Sequence, residues 1–281
     1  MEQADKAQRF RQLHAGEEPL RLANAWDRTS ARVFEQAGAK AIGTTSAGLG
    51  LALGYGDGQR APWMEVLAVV GGIVDAVDVP VSVDVEAGWG DEPDGVARTV
   101  RDVVAAGAVG INLEDSVPDG HGALFPVDAQ AARIAAAKSA CNQADDVFVN
   151  ARCDVFFGGQ VDGDPLDEAL RRGEAYAAAG ADGFFVPGLL DVDLLSELAK
   201  ALDMPVNAMV GPGSPTVEEL AEAGVRRLSQ GAWPFAAVVG CLDRLARDFV
   251  EHGGYGRPGE LDPAWDLLGA LATRTAVSDE S

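Results

Sequence analysis

Lysine is nearly missing from this chain: Lys6, Lys40, Lys138 and Lys200 are the only ones in 281 residues, and all 22 basic residues face 44 acidic ones, for a net charge of -22. No basic stripe exists that could neutralise a phosphate backbone, so nucleic acid is excluded as a partner. Cysteine is equally sparse. Cys141, Cys153 and Cys241 are odd in number, far apart and in no metal or redox spacing, which reads as reduced thiols inside a cell. Long apolar runs are also lacking: nothing approaches the roughly 20 residues of a membrane span. The start, MEQADKAQRF, is polar where a secretory signal needs an apolar stretch. The expectation is a soluble, cytoplasmic protein with no membrane or nucleic-acid partner.

What is present is a repeating unit. EQAGAKAIGTTSAG from Glu35, VAAGAVGINLED from Val104, AAAGADGFFVPG from Ala177 and AEAGVRRLSQG from Ala221 each read as a helix stopped by Gly and followed at once by a short apolar strand. LRLANAW, VPVSVDVEAG, VFVNARCDVFF and MPVNAMVG supply four more strands. Helices are predicted over about 29–38, 61–77, 93–106, 128–143, 165–179, 191–201, 216–223 and 233–250. Eight strands alternating with eight helices predict an α/β fold, a (β/α)8 TIM-type barrel. An open doubly wound sheet is the alternative, disfavoured because no Gly-rich dinucleotide turn opens the first unit. The barrel is assigned to residues 1–250, and 251–281 to a C-terminal tail whose helix PAWDLLGALATR packs on its own barrel or exchanges with a neighbour.

Polar residues at the C-terminal ends of barrel strands read as functional. In VPVSVDVEAGWGD the period of two puts Ser82, Asp84 and Glu86 on one face. By the same count Asn112 and Glu114 point inward from strand four, and Asn150, Arg152 and Asp154 from strand five, with Cys153 on the packing side. Thr45, Ser46 and Gly48 offer hydroxyl and backbone donors after strand two, Asp57 follows in a Gly-rich loop, and Asn24 and Asp27 end strand one. Acids from several strands meeting at one mouth suit a hard divalent cation: Asp84, Glu86 and Glu114 around Mg²⁺, with Asp57 approaching it through water.

NAWDRTSARVFEQAGAKAIGTTSAGLG, LGYGDGQ, VPVSVDVEAGWGD, GAVGINLEDS, VNARCDVFF and VNAMVGPGSPTVEELAEAGVRRLSQG, in that order, cover most of residues 20–240. As a set they resemble the isocitrate lyase and phosphoenolpyruvate mutase superfamily. The resemblance implies a Mg²⁺-binding barrel acting on 2-oxo acids or related carboxylates through an enolate-like pyruvate intermediate. It implies Asp84 as the direct metal ligand, and Asp57, Glu86 and Glu114 as holders of metal-bound water. Ser46, Ala47, Gly48 and Leu49 would grip the substrate carboxylate, together with Thr45 and Asn24, and Arg152 would meet an oxyanion or carboxylate. It also implies a homo-oligomer, a dimer of dimers with exchanged C-terminal helices.

One loop departs from the pattern. Lyases for isocitrate and methylisocitrate carry a Lys-Lys/Arg-Cys-Gly-His type motif after strand four, whose cysteine is thought to act as the acid. Here EDSVPDGHGALFPVD has no cysteine, is short, and lacks the Lys-Thr-Asn type loop of the phosphonate mutases. His121 within it is the candidate proton carrier. The expected function is a Mg²⁺-dependent lyase or decarboxylase for a small 2-oxo or 2-hydroxy dicarboxylate. The alternatives are a phosphoenolpyruvate mutase or phosphonopyruvate hydrolase, and a non-catalytic 2-oxo acid binding protein.

Overall fold

The computed structural model describes residues 2–90, 92–141, 147–254 and 265–272. Eight parallel strands close into a barrel in sequence order: β1 (Leu20–Ala25), β2 (Ile42–Thr44), β3 (Val81–Asp84), β4 (Gly110–Glu114), β5 (Phe148–Arg152), β6 (Gly183–Phe185), β7 (Val206–Met209) and β8 (Val225–Ser229). The helices are α1 (Gln3–His14), α2 (Arg28–Gln36), α3 (Ser46–Ala52), α4 (Trp63–Ala76), α5 (Pro93–Ala105), α6 (Val127–Ser139), α7 (Pro165–Ala178), α8 (Val192–Ala201), α9 (Val217–Glu222), α10 (Trp233–His252) and α11 (Trp265–Ala272). The barrel expected from the alternating pattern is therefore present. So are the glycine stops: Gly107 (φ +91°) and Gly180 (φ +96°) end α5 and α7 in the left-handed conformation that lets the chain turn straight into β4 and β6.

Two helices were not expected. The N-terminal segment, read only as polar, forms α1, whose sole fully buried side chains, Phe10 and His14, enter the barrel at the strand starts. Phe10 packs there with Leu20, Leu22, Ala41, Val109 and Phe148. Polar flanks fasten the plug: Gln3 Nε2 donates to Val104 O (2.8 Å) and Ala108 O (3.0 Å), and Arg11 Nη1 pairs with Asp182 Oδ1 at 2.7 Å. The second is α3, which begins where a substrate-gripping loop was expected; Thr45 is its N-cap and accepts from Gly48 N–H.

The chain divides into two compact units, Met1–Ala232 and Trp233–Ser281. In the second, α10 buries no residue; Trp233, Val238, Leu242, Phe249 and Val250 are exposed. The tail helix appears as α11, while 255–264 and 273–281 lie outside the described residues, as do 142–146 at the end of the helix expected over 128–143. All three cysteines are free thiols, and no helix of the described residues is long and apolar enough to cross a membrane. A groove of about 640 Å³, lined by Leu20 and Leu22 of β1, Phe34 of α2, Val217 of α9 and Leu228 of β8, lies in the first unit. No acidic residue of the strand ends lines it.

Candidate active site

The ends of β2 to β5 set the site, and parallel register fixes who meets whom. Asp84 ends β3 opposite Asn112, and Glu114 ends β4 opposite Arg152. Asp84 Oδ2 accepts from the Ser46 hydroxyl at 2.8 Å and from Ser46 N–H at 3.3 Å, so the first residue of α3 holds the carboxylate. The Thr44 hydroxyl accepts from Asp84 N–H (2.8 Å) and orients the backbone of that strand end.

β3 stops at Asp84, two residues earlier than the alternation suggested, and Glu86 sits beyond it at φ +46°. That left-handed backbone is unfavourable for a residue with a side chain, by about 1–2 kcal/mol. It places the Glu86 carboxylate against Gln59 N–H, which donates to Oε2 at 2.5 Å. Gln59 is itself left-handed (φ +58°) and its amide oxygen accepts from Trp89 N–H. The Gly-rich loop carrying Asp57 is thereby pinned to the turn carrying Glu86.

Arg152 is held from two sides. Its Nη1 pairs with Glu114 Oε2 at 2.9 Å, while Nε and Nη2 form a fork on Asp154 at 2.6 and 3.1 Å. Asp154 is buried in a short 3-10 turn, Asp154–Phe156, where the strand was expected to continue. Ser116 Oγ donates to it at 2.5 Å, and Asp115 Oδ1 accepts from its N–H at 2.9 Å. Asp115 in turn accepts from the Tyr176 hydroxyl (2.8 Å) and Arg172 (3.1 Å). The guanidinium also lies 5.3 Å from the Phe157 ring and 5.9 Å from the Phe185 ring. Three of its five N–H groups are thus committed to Glu114 and Asp154. Asp154 and Ser116 were not counted as site residues in the sequence; the hydroxyl-to-acid link between two loops has no local signature.

These acids raise one another. Burial, then the charges of Asp84 and Asp57, push Glu86 up to about 8 against the pull of two backbone N–H groups. Burial pushes Glu114 well up, opposed by Arg152 and reinforced by Asp154, Asp84 and Glu86. Asp57 stands exposed at the rim, yet desolvation and then Asp84 raise it too. Arg152 is half-buried, and desolvation disfavours its charge, but Glu114, Asp154 and Asp84 outweigh that and raise it. The donors are all carboxylate oxygens, the set a hard cation prefers. Among the described residues no three acidic, imidazole or thiol groups are arranged to enclose an ion. A Mg²⁺ that keeps most of its water would be compatible with such a set, with Asp84, Asp57, Glu86 and Glu114 the residues that would hold it.

The remaining candidates fall in different places. Thr45 and Gly48 are occupied with each other as a helix cap (3.4 Å), and Leu49 N–H bonds Thr45 O; Ser46 and Ala47 are half-buried at the head of α3. Asn24 is buried; Oδ1 accepts from Gln230 N–H (2.7 Å) and Gly231 N–H (3.1 Å), and Nδ2 donates to Thr44 O (2.9 Å). Its amide stitches the barrel rim, and a substrate would find its polar atoms engaged. Asp27 caps α2 in a box with Ser30. Cys153 is fully buried, and burial raises its thiol well above the usual range, as expected of a packing residue. His121 is exposed at φ +50°, in a loop closed by the Ser116–Leu124 pairing and tied by Gln160 Nε2 donating to His121 O (2.9 Å). On its other side Asp119 pairs with Arg60 at 2.6 Å.

Residues 10–250 match the family described as phosphoenolpyruvate phosphomutase. The chain belongs to the phosphoenolpyruvate phosphomutase family. Among its relatives, an uncharacterized protein of Mycobacterium tuberculosis (strain ATCC 25618 / H37Rv) is 39% identical over 85% of this chain and 87% of its own. The 2-methylisocitrate lyase of Escherichia coli (strain K12) is 31% identical over 72% and 68%. The solved phosphoenolpyruvate phosphomutase of Streptomyces platensis subsp. rosaceus superposes with a TM-score of 0.81 at 28% identity, covering 95% of this chain and 96% of that one. The relatives of this chain thus include a lyase and a mutase by name, and both the superfamily and the barrel read from the sequence stand.

Proposed function

We propose that this protein is a Mg²⁺-dependent lyase or decarboxylase that breaks a C–C bond in a small 2-oxo or 2-hydroxy dicarboxylate through an enolpyruvate-type intermediate. The observation that carries it is Arg152, braced by Glu114 and Asp154 beside carboxylates that repel one another. Asp84 would hold the ion, with Asp57, Glu86 and Glu114 on its water. When bound, the ion supplies a Lewis acid that polarises a carbonyl oxygen. The remaining N–H groups of Arg152 would donate to a carboxylate or to the oxygen on which charge develops as the bond breaks. The Asp154 fork and the two phenyl rings keep its guanidinium from turning away as that happens.

Phosphorus–carbon chemistry is the second reading, favoured by the likeness to a phosphomutase over nearly the whole chain. It ranks lower because Arg152 is the cation that faces Asp57 and Glu114, and a phosphonate would bring additional negative charge against these acids. A panel of isocitrate, methylisocitrate, oxaloacetate and related oxo acids, with and without Mg²⁺ and with pyruvate detected, tests the first reading; phosphonopyruvate followed by phosphorus NMR tests the second. Ligand binding without turnover on either arm would leave a binding protein.

The protein is further proposed to act as a homo-oligomer, a dimer of dimers in the cytoplasm. The exposed Trp233, Leu242, Phe249 and Val250 of α10 support this, since such a surface is costly to leave in water. Light scattering at micromolar concentration should give four chains; a monomer would refute it.

A further inference from the structure

Beneath the acids the barrel interior carries a set of amides and one guanidinium beside the apolar side chains that usually fill such a core. Asn150 Nδ2 donates to Asn112 Oδ1 (2.8 Å) and Asn207 Oδ1 (3.1 Å), and Asn207 Nδ2 donates to Ser229 Oγ (3.1 Å). Arg227 starts on β8, and its Nη2 donates to Asn112 Oδ1 on β4 at 2.9 Å. In a ring of eight strands β4 and β8 are opposite, so this side chain spans the lumen. Asn112 is also the register partner of Asp84.

Arg227 is 1% exposed, and its one side-chain partner is a neutral amide; Nε and Nη1 are buried with no partner. Other arginines of the barrel are partnered differently: buried Arg172 pairs with Asp115 and Glu168, half-buried Arg152 pairs with Glu114 and Asp154, and buried Arg133 donates to the Gln130 amide oxygen and to the carbonyls of Gly90 and Ala87. His14 adds no second positive charge from below, because burial and then Arg227 lower it to about 3 and keep it neutral. Burial lowers Arg227 itself to about 9, with Asp84 the carboxylate acting the other way, so it stays charged at neutral pH.

We propose that Arg227 is a positioning residue: a fixed positive charge under the mouth, held by a neutral amide, that weakens the hold of Asp84 on a cation and strengthens the hold of the site on an anion. The inference rests on the metal-and-carboxylate reading above. A unit charge acting on a doubly charged ion over roughly 10 Å at an effective dielectric of about 20 shifts binding on the order of a hundredfold. The two effects have opposite sign. A strut that merely shapes the lumen would, when removed, weaken both.

Calorimetry with MgCl₂ alone, and with oxalate at saturating Mg²⁺, reads the sign. In Arg227→Gln the Kd for Mg²⁺ should fall by about tenfold to a hundredfold while that for oxalate rises by as much. Arg227→Lys, which keeps the charge, should leave both within about threefold. Parallel weakening in the glutamine variant, or no change in either ligand, overturns the proposal. Should that variant not fold, Asn112→Asp carries the test, because it sets a carboxylate against Nη2 and should give the same opposed shifts; parallel losses or no change there overturn it as well. Wild-type protein that binds Mg²⁺ and oxalate but whose variants fail these signs sinks only this inference. Wild-type protein that binds neither sinks the functional reading with it.

Discussion

Ser46 gives both its hydroxyl (2.8 Å) and its backbone N–H (3.3 Å) to the same oxygen of Asp84. One residue at the head of α3 thereby fixes the carboxylate proposed to touch the metal. Hydrogen bonds to a charged acceptor contribute about 1.5–3 kcal/mol. Ser46→Ala keeps the N–H and removes the hydroxyl, so Mg²⁺ affinity measured by calorimetry should drop about tenfold while thermal stability changes little. Asp84→Ala should abolish both binding and turnover; activity that survives it, or survives a chelator, refutes the metal assignment.

The raised carboxylates give a pH dependence of defined sign. Glu86 lies at about 8 in the folded chain against an ordinary 4.5, so between those values the native state holds a proton that the unfolded chain has lost. Stability of the metal-free protein is therefore highest near the acid end of that window and falls as pH rises through it, by on the order of a few kcal/mol. Mg²⁺ should cancel the fall and release protons on binding below pH about 8. Urea melts at several pH values, with chelator and with Mg²⁺, read this; in Glu86→Gln the slope should flatten.

Arg152 separates charge from geometry. Arg152→Ala leaves Glu114 and Asp154 buried without their partner, a loss of about 3–5 kcal/mol in denaturant melts. Arg152→Lys restores a charge but cannot reproduce the fork on Asp154. It should recover much of the stability while kcat stays down by about a hundredfold or more. Recovery of both would mean that a point charge suffices there.

The barrel was legible because its signal repeats: glycine-stopped helices running into apolar strands leave little choice of fold. The acids were legible because they break alternation at strand ends. Arg152 and Glu114 could be named but not joined, since register, which makes them neighbours, is set by the closed sheet and by no local motif. Glu86 was placed by extending β3 with a period of two, and that failed at the residue where the chain turns left-handed. Arg227 was missed although the same alternation, applied to Val225, Arg227 and Ser229, puts it inside, where it meets Asn112 of the opposite strand. The α1 plug was hidden by its polar composition, because only Phe10 and His14 among its twelve residues are fully buried.

Phe10 tests that plug apart from the chemistry. It is fully buried, edge-on to Phe148 at 5.4 Å and to His14 at 4.6 Å. Phe10→Ala should cost about 3–5 kcal/mol in urea unfolding with Mg²⁺ affinity unchanged at temperatures where the chain is folded. A cost under about 1 kcal/mol would mean that α1 is a loose cover.

His121 sits where a lyase would need its acid, in the cysteine-free loop after β4. Its ring is exposed, and what binds the loop down is its carbonyl, taken by Gln160. A general acid must reach the reacting atom to within hydrogen-bond distance in a place that excludes water. His121→Asn suits the left-handed backbone of the site (φ +50°) and removes only the imidazole. The rate against whichever substrate responds should stay within about threefold, because general acid catalysis is worth about 10²–10⁴-fold where it operates. A fall of that size, with an unchanged melting temperature, would instead make the imidazole the proton carrier and require the loop to fold inward over Arg152 during turnover.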